Sequence, residues 1–467
     1  MSSPFAKFKQ AKPFRPQFNV GCLMDIATGR YEKGMKGENI LNGGVSQIEG
    51  VTGPGNSFKS TIAHFRMLMV LFRYANAMGF VYDTENSATR RRFQDLANVI
   101  DPTGELAKTL EEEVGRFLFT DAAEYNGSEW WDLFKEGIMD RIKTTKEEQT
   151  PFLNEKTGQP YSILPPMVGE IDSFSQFQSN AVFEKTQKGT VGDGDLNPVA
   201  MHNAAAKAQL LDTLPYLASK AGFSMILTAH MGDTIVMDKY DGPKKKLAFV
   251  KANRKMKKTT EGFTFLTNNL FESISTSPLL GKKDKLPEFP FGDADDFEGN
   301  TDLMEITVLP IRTKGGITGY PFTLVASQRF GIQPCLTEYL YLKQYGRFGL
   351  TGNLVQQRLA IYPDVVFTRK SIRRLSNSDA KFRRATQILS ELCQINNLWP
   401  EYAHEFMVEP TELYEGLKKK GYDWDVLLET RGYWTFDQYT HPVPFLSTKD
   451  LLEMYHGNYH PYWMKPL

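Results

Sequence analysis

The sequence predicts an α/β fold with a mostly parallel central sheet, followed by a smaller helical or mixed C-terminal domain. From about residue 19 to 349, apolar strand-like segments alternate with helical segments, which is the pattern of a parallel sheet covered by helices. After about residue 350 this alternation stops, and helical segments lead into an end rich in Tyr, Trp and His. We therefore expect an N-terminal arm at 1–18, a core at 19–349 and a C-terminal domain at 350–467.

The predicted strands are short apolar runs bounded by polar residues, Gly or Pro. They cover residues 46–51, 79–82, 116–120, 167–171, 224–229 and 304–309. Helical stretches such as 61–77 and 204–220 lie between them. Bulky apolar residues recur around the first of these helices, as expected for a helix that packs on a sheet.

Composition and charge exclude several classes of protein. The 467 residues include 55 Lys and Arg and 55 Asp and Glu, so a globally basic, histone-like protein is excluded but a local basic patch is not. No apolar run approaches ~20 residues, and the N-terminus lacks the apolar segment of a secretory signal. Three cysteines, far apart and odd in number, argue against a disulfide framework or a cysteine-based zinc site. We expect a soluble, cytoplasmic protein that does not associate with membranes.

The strongest motif is the segment 53–61, which lies between a predicted strand and a predicted helix. It is similar to the phosphate-binding pattern G-x-x-x-x-G-K-[ST], although Phe58 replaces the second glycine. A tight turn at a helix N-terminus surrounds phosphate oxygens with backbone N–H groups, while Lys59 would reach the β- and γ-phosphates and Ser60 would bind Mg²⁺. The other interpretation is a glycine-rich turn with a chance Lys-Ser pair. The residues expected to bind ATP are Gly53, Pro54, Gly55, Asn56, Ser57, Phe58, Lys59, Ser60 and Thr61.

Acidic residues follow two of the predicted strands, and a histidine follows a third. The carboxyl ends of parallel strands line the ligand crevice of such a sheet. There Asp172 would hold Mg²⁺ and Glu85 would orient or deprotonate the attacking water. His230 stands where a sensor of the γ-phosphate would lie. Taken alone, an acid at a strand end is more often a helix cap or a solvated side chain, and a lone histidine is usually structural.

Segments between and beyond these strands carry less specific signals. Residues 144–163 are polar and predict a surface insertion, 179–203 are rich in Gly and Asp and predict a loop, and 232–262 hold the densest positive charge. Such a cluster would neutralise nucleic-acid phosphates, or it is a solvated charge run. Its candidate DNA-binding residues are Lys244, Lys245, Lys246, Lys251, Arg254, Lys255, Lys257 and Lys258. The basic run 369–384 is a duplex-binding surface or a solvated helix face, and the aromatic end is a packed unit or a base-stacking platform.

As a set, these motifs resemble those of RecA-type recombinases, most closely the UvsX recombinases of T-even-like bacteriophages. The resemblance covers about residues 20–345 in the same order. It includes S-F-K-S at 57–60, Y-D-T-E at 82–85, I-D-S at 171–173 and a strand that closes on His230. The basic pair in P-I-R-T-K at 310–314 occupies the place of the family's paired basic residues.

The resemblance implies a RecA-like P-loop ATPase core that uses ATP and Mg²⁺ and forms a helical filament on single-stranded DNA, pairing it with homologous duplex. It further implies DNA-binding loops near 179–203 and 232–262, and a role for Arg312 and Lys314 at the ATP of a neighbouring protomer. Loader or single-strand-binding proteins would be partners, and the location would be the infected bacterial cell if the chain is phage-encoded. The alternative is a RecA-fold ring helicase or another DNA-translocating ATPase.

Overall fold

The structure is a computed structural model that describes residues 14–188, 196–233, 248–250 and 254–465. Its centre is a ten-stranded sheet. The strands of this sheet are β3 (Ile48–Gly53), β4 (Met78–Asp83), β5 (Phe117–Asp121), β8 (Met167–Asp172), β9 (Phe223–Asp233), β10 (Arg254–Met256), β11 (Asn269–Pro278), β12 (Leu303–Arg312), β13 (Phe322–Ser327) and β14 (Gly331–Ile332). Their order across the sheet is β14-β13-β12-β11-β3-β9-β8-β4-β5, with β10 paired to β9. The smaller sheets contain β1 (Arg30–Lys33) with β2 (Asn39–Asn42), β6 (Glu148–Asn154) with β7 (Gln159–Ile163), and β15 (Leu350–Gly352) with β16 (Gln357–Leu359) and β17 (Tyr362–Phe367).

The run from β11 through β3, β9, β8 and β4 to β5 is parallel, whereas β12, β13 and β14 extend it as antiparallel strands. The α/β fold with a mostly parallel central sheet is therefore confirmed. Every predicted strand and both predicted helices are present; most ends are shifted by a few residues, but the second helix begins at Leu196. The prediction of a loop over 179–203 is therefore wrong for Asn180–Lys188 and from Leu196 onward, which are helical, because the Gly and Asp residues that suggested it are confined to 189–195. Strand β11, which lies in the middle of the sheet, was not predicted.

Helices cover the sheet and form much of the C-terminal part. They are α1 (Met24–Thr28), α2 (Lys59–Arg73), α3 (Arg90–Ile100), α4 (Glu105–Thr109), α5 (Gly127–Thr144), α6 (Asn180–Lys188), α7 (Leu196–Ala221), α8 (Gly262–Leu266), α9 (Pro334–Gln344), α10 (Ile372–Ser378), α11 (Ala380–Leu398), α12 (Pro400–Phe406), α13 (Pro410–Lys419), α14 (Trp424–Leu428) and α15 (Thr448–His456). Most of α2 is buried, because apolar side chains recur all around this helix. Within the described ranges, no helix combines the length and apolar character needed to cross a membrane.

The predicted surface insertion is the β6–β7 hairpin, and the prediction is wrong for its inner side. Phe152 on β6 is fully buried. Its ring centroid lies 5.0 Å from that of Phe14 and 5.3 Å from that of Trp434. The hairpin also accepts a backbone hydrogen bond at Pro151 from Met35 (3.0 Å). Within this otherwise polar segment, Phe152 packs between the N-terminal Phe14 and the C-terminal Trp434 and so connects the two ends of the chain.

Aromatic side chains near the C-terminal end of the chain, such as Trp434, are packed in the interior rather than exposed to solvent. Trp434 is fully buried, and its indole N–H donates to the carbonyl of Gln17 (3.1 Å). Nearby, the side-chain amide of Asn39 donates to Asp450 on α15 (2.7 Å). The interpretation as a packed unit is therefore supported over a base-stacking platform for these residues, which lie against the lead-in to the core.

Part of the basic run 369–384 is paired with acids or buried rather than solvated. Arg369 pairs with Asp296 (2.7 Å), and Arg373 pairs with Asp302 (2.8 Å). Arg384 is buried. Arg369, Lys370 and Arg373 therefore neutralise acids of the segment before β12 and tie the start of α10 to it.

Candidate nucleotide-binding site

The segment 53–61 forms a tight turn between β3 and α2, as its sequence predicts. Asn56 and Phe58 have φ values of 56° and 62°, in the left-handed region that glycine favours. The hydroxyl of Ser57 donates to the carbonyl of Pro54 (2.8 Å) and closes the turn. The first backbone N–H groups of α2 have no partner within the helix, so this end of α2 is suited to bind an anion. Phe58 adopts the backbone conformation of the missing glycine while its ring packs partly against the core.

Lys59 is 7% exposed, and its ammonium donates to the carbonyl of Pro54 (2.7 Å). Burial lowers the pKa of Lys59, while the nearby charges of Asp172 and Glu85 act in the opposite direction. A desolvated ammonium beside a helix N-terminus suits the phosphates of a nucleotide. The hydroxyl of Ser60 on the first turn of α2 and the carboxylate of Asp172 are hard oxygen ligands of the kind Mg²⁺ prefers. The residues present thus fit both ATP and Mg²⁺.

Two buried carboxylates, Asp83 and Asp172, lie side by side at the same edge of the sheet and accept different hydrogen bonds. Asp83 lies opposite Asp172 in the parallel register of β4 and β8. Asp83 is buried and accepts backbone N–H bonds from Glu85 (2.9 Å) and Ala88 (2.7 Å), so it fixes the loop that carries Glu85. Asp172 accepts a hydrogen bond from the hydroxyl of Thr228 on β9.

Glu85 is held by two hydrogen bonds on one carboxylate oxygen. The hydroxyl of Ser173 donates to Oε1 (2.6 Å), and Nε2 of His230 lies 2.9 Å from the same atom. Partial burial alone would raise the pKa of Glu85, but these two hydrogen bonds, with the charge of Lys59, hold it below its usual value. Glu85 is therefore ionised at neutral pH and can accept a proton. An open cleft of about 610 Å³ adjoins it, lined by Tyr82, Asn126, Gln176, Gln178 and His230 among others.

Beneath this site lies a buried pair that sequence reasoning missed. Nδ1 of His64 on α2 lies 2.9 Å from Oε2 of Glu170 on β8. Burial raises the pKa of Glu170 to about 7. Burial opposes charge on His64, but Glu170 outweighs it and raises the pKa of His64. With Asp172, ligand atoms of these side chains lie within 4.8 Å of one another, close enough to hold a cation. Glu170 stands two residues before Asp172 in an apolar strand, and an acid at such a position could have been recognised from the sequence as a candidate site residue.

Arg312 and Lys314 do not join this site within one chain. β11 runs parallel to β3, and the antiparallel strand β12 places Arg312 opposite Leu270, which is level with Gly50. The chain therefore leaves β12 toward the edge of the sheet opposite Lys59. The Arg312 guanidinium donates to the carbonyls of Thr264 (2.7 Å) and Phe265 at the end of α8.

The candidate DNA-binding residues fall into three groups. Lys244, Lys245, Lys246 and Lys251 lie outside the described residues. Arg254 is part of β10, where it pairs with the buried Glu272 of β11 (3.0 Å). Lys255, Lys257 and Lys258 are exposed.

No family model matches the sequence, and no curated protein matches it. Among solved structures, the chain is similar to one described as the crystal structure of the RadB recombinase, with 14% sequence identity and a TM-score of 0.33. That match covers 63% of this chain and 93% of the other. At this identity and TM-score, the likeness says nothing about what this chain binds or does.

Proposed function

We propose that the chain is an ATP-dependent DNA recombinase, an ATPase that forms filaments on single-stranded DNA and pairs it with homologous duplex. One observation carries the proposal. The phosphate-binding turn of β3, Glu85 after β4, Asp172 on β8 and His230 on β9 meet at one edge of the sheet. The segments proposed to bind DNA leave the sheet at that same edge, after β8 and after β9.

Hydrolysis would use each of these side chains for a separate task. The phosphates of ATP would lie at the N-terminus of α2, with Lys59 beside the β- and γ-phosphates. Ser60 and Asp172 would hold Mg²⁺, which supplies positive charge to the phosphates when bound. Glu85, ionised and hydrogen-bonded by Ser173, would orient the attacking water and accept its proton. His230, which is hydrogen-bonded to Glu85, would couple that carboxylate to the segment that follows β9.

An active assembly would need more than one copy of the chain. Arg312 and Lys314 lie away from the phosphate-binding turn of their own chain, so we infer that they would reach the nucleotide of a neighbouring protomer. Such a site is complete only in a filament or a ring. The proposed partners are single-stranded and duplex DNA, further copies of the chain, and loader or single-strand-binding proteins.

Two measurements test the proposal. Steady-state ATP hydrolysis should rise when single-stranded DNA is added, and it should depend on Mg²⁺. Negative-stain imaging with single-stranded DNA and a non-hydrolysable ATP analogue should show helical filaments. Closed rings would favour a ring helicase or another DNA-translocating ATPase, and absence of any DNA-dependent assembly would contradict both.

A further inference from the structure

A buried lysine joins the bases of the two candidate DNA loops. Lys207 on α7 is 2% exposed, and its ammonium donates to the carbonyls of Ser175 (3.0 Å) and Lys258 (2.9 Å). Ser175 lies just after β8, where the chain leaves the sheet toward α6. Lys258 lies just after β10, where the chain returns from the basic segment. One side chain therefore contacts the lead-in to the 179–203 segment and the end of the 232–262 segment.

The same junction connects to the nucleotide site by a short chain of hydrogen bonds. The hydroxyl of Ser175 donates to the carbonyl of Lys257 (3.0 Å) and accepts from the backbone N–H of His230 (2.9 Å). The backbone N–H of Lys257 donates in turn to the carbonyl of His230 (2.8 Å). The imidazole of His230 contacts Glu85. Lys207 is thus separated from the proposed catalytic carboxylate by Ser175 and His230 alone.

Packing does not explain a lysine at this position. The Lys207 ammonium donates to neutral carbonyls, and the centroid of the Phe174 ring lies 5.6 Å from it. Burial, followed by the charge of Lys258, lowers the pKa of Lys207 to about 8. A buried ammonium costs free energy that an apolar side chain of similar length would not. Lys207 therefore links two backbone segments by hydrogen bonds, at a cost in the free energy of folding.

We propose that Lys207 is a positioning residue that transmits DNA binding at the two loops to Glu85 through Ser175 and His230. This inference rests on the proposed function. DNA bound at either segment would displace the carbonyl of Ser175 or of Lys258, both of which the Lys207 ammonium holds, so the backbone of His230 and its hydrogen bond to Glu85 would respond to both segments together. Without the ammonium, the two carbonyls are no longer linked.

The test compares two lysines of the same helix. Lys207→Met keeps the length of the side chain but removes its donors, and Lys220→Met on the exposed side of α7 is the matched control. The readout is the ratio of ATP hydrolysis with and without single-stranded DNA. We expect Lys207→Met to lower this ratio about fivefold or more, the usual scale of coupling between sites. The Kd of a fluorescent ATP analogue should change by less than about twofold, which is below that coupling scale. Lys220→Met should match the wild type in both measurements.

A second variant keeps the proposal testable if Lys207→Met folds poorly. Ser175→Ala leaves the lysine in place but removes the hydroxyl between Lys257 and His230, so it should also lower the ratio. An undiminished ratio in a folded Lys207→Met protein, with a stimulated wild type, would overturn the inference alone. A wild type without any DNA-stimulated hydrolysis would overturn the proposed function, and the inference with it.

Discussion

Nε2 of His230 lies 2.9 Å from Oε1 of Glu85, although the two are 145 positions apart in the sequence. They meet because β9, β8 and β4 are neighbours in the sheet and run in parallel. Ser173, at the end of the intervening strand, donates to the same oxygen. Three adjacent strands therefore fix one carboxylate, and this arrangement gives the site its proposed base.

Replacing Glu85 tests that role directly. Glu85→Gln should keep ATP binding but slow hydrolysis by ~10²-fold or more, because the amide cannot accept a proton from water. Lys59→Ala should abolish hydrolysis, since the phosphates lose their buried cation. Phosphate release and binding of a fluorescent ATP analogue measure the two effects. The exposed Glu113→Gln is the matched control. Near-normal turnover in Glu85→Gln would remove Glu85 from the mechanism.

Phe58 allows a test of backbone strain in the phosphate-binding turn. Its φ of 62° favours glycine, so Phe58→Gly should be more stable than Phe58→Ala by ~1 kcal/mol, both variants having lost the same ring. At Glu136, exposed within α5, the order should reverse, with alanine the more stable by about the same amount. Urea denaturation of the four variants gives the comparison. Equal stability of the two Phe58 variants would mean that the turn relaxes when the ring is removed.

The position of Arg312 and Lys314 predicts complementation between variants. Protein carrying Lys59→Ala, mixed with protein carrying Lys314→Ala, should recover part of the hydrolysis that each lacks alone. Some interfaces would then pair an intact phosphate-binding turn with an intact lysine. Lys314 is the cleaner choice because it is exposed, whereas Arg312 also holds the end of α8. Hydrolysis should rise more than linearly with protein concentration. Linear kinetics without recovery would assign these residues to another role.

Much of the fold could be predicted from the sequence, for a physical reason. Strands that are buried on both faces of a sheet are continuous apolar runs, and such runs can be recognised in the sequence without knowing which strands pair. β11 was missed because Glu272 and Ser273 make it look polar, and Glu272 pairs with Arg254, which is brought close only by β10. In the candidate site, the carboxyl ends of parallel strands bring Glu85 and Asp172 to the same edge of the sheet, as expected, while their roles stay predictions. The contact of His64 with Glu170 depends on the rotation of α2, which no sequence pattern specifies.

The basic segment predicts a salt-dependent interaction with DNA. Replacing Lys244, Lys245, Lys246, Lys255, Lys257 and Lys258 with alanine should weaken single-strand binding and flatten its dependence on salt. In a plot of the logarithm of the binding constant against the logarithm of the salt concentration, each lost phosphate contact lowers the magnitude of the slope by ~0.7. The loss of three contacts would therefore change the slope by roughly two units. Arg254 is left unchanged because it pairs with Glu272. Replacement of the exposed Lys282 and Lys283 is the control. An unchanged slope would mean that the six lysines are only solvated.

A buried carboxyl on α9 predicts a pH dependence of stability. Glu338 is 5% exposed. Burial, followed by the charge of Glu391, raises its pKa to about 8, although Arg73 acts in the opposite direction. Unfolded, a glutamate titrates near ~4.3, so between the two values the folded protein holds a proton that the unfolded chain releases. Stability from this group is therefore complete below pH ~4 and is lost as the pH rises toward about 8.

Glu338→Gln should remove this loss, because the amide stays neutral at every pH. The free energy of unfolding of the variant should gain on that of the wild type as the pH rises from about 5 to 8, by at most ~1.4 kcal/mol per pH unit. Asp25, whose pKa is raised by burial to about 6, contributes equally to both proteins and cancels in the difference. Urea denaturation at several pH values gives the curves, and the exposed Glu415→Gln serves as control. Parallel curves for Glu338→Gln and the wild type would show that Glu338 ionises in the folded protein as readily as in the unfolded chain.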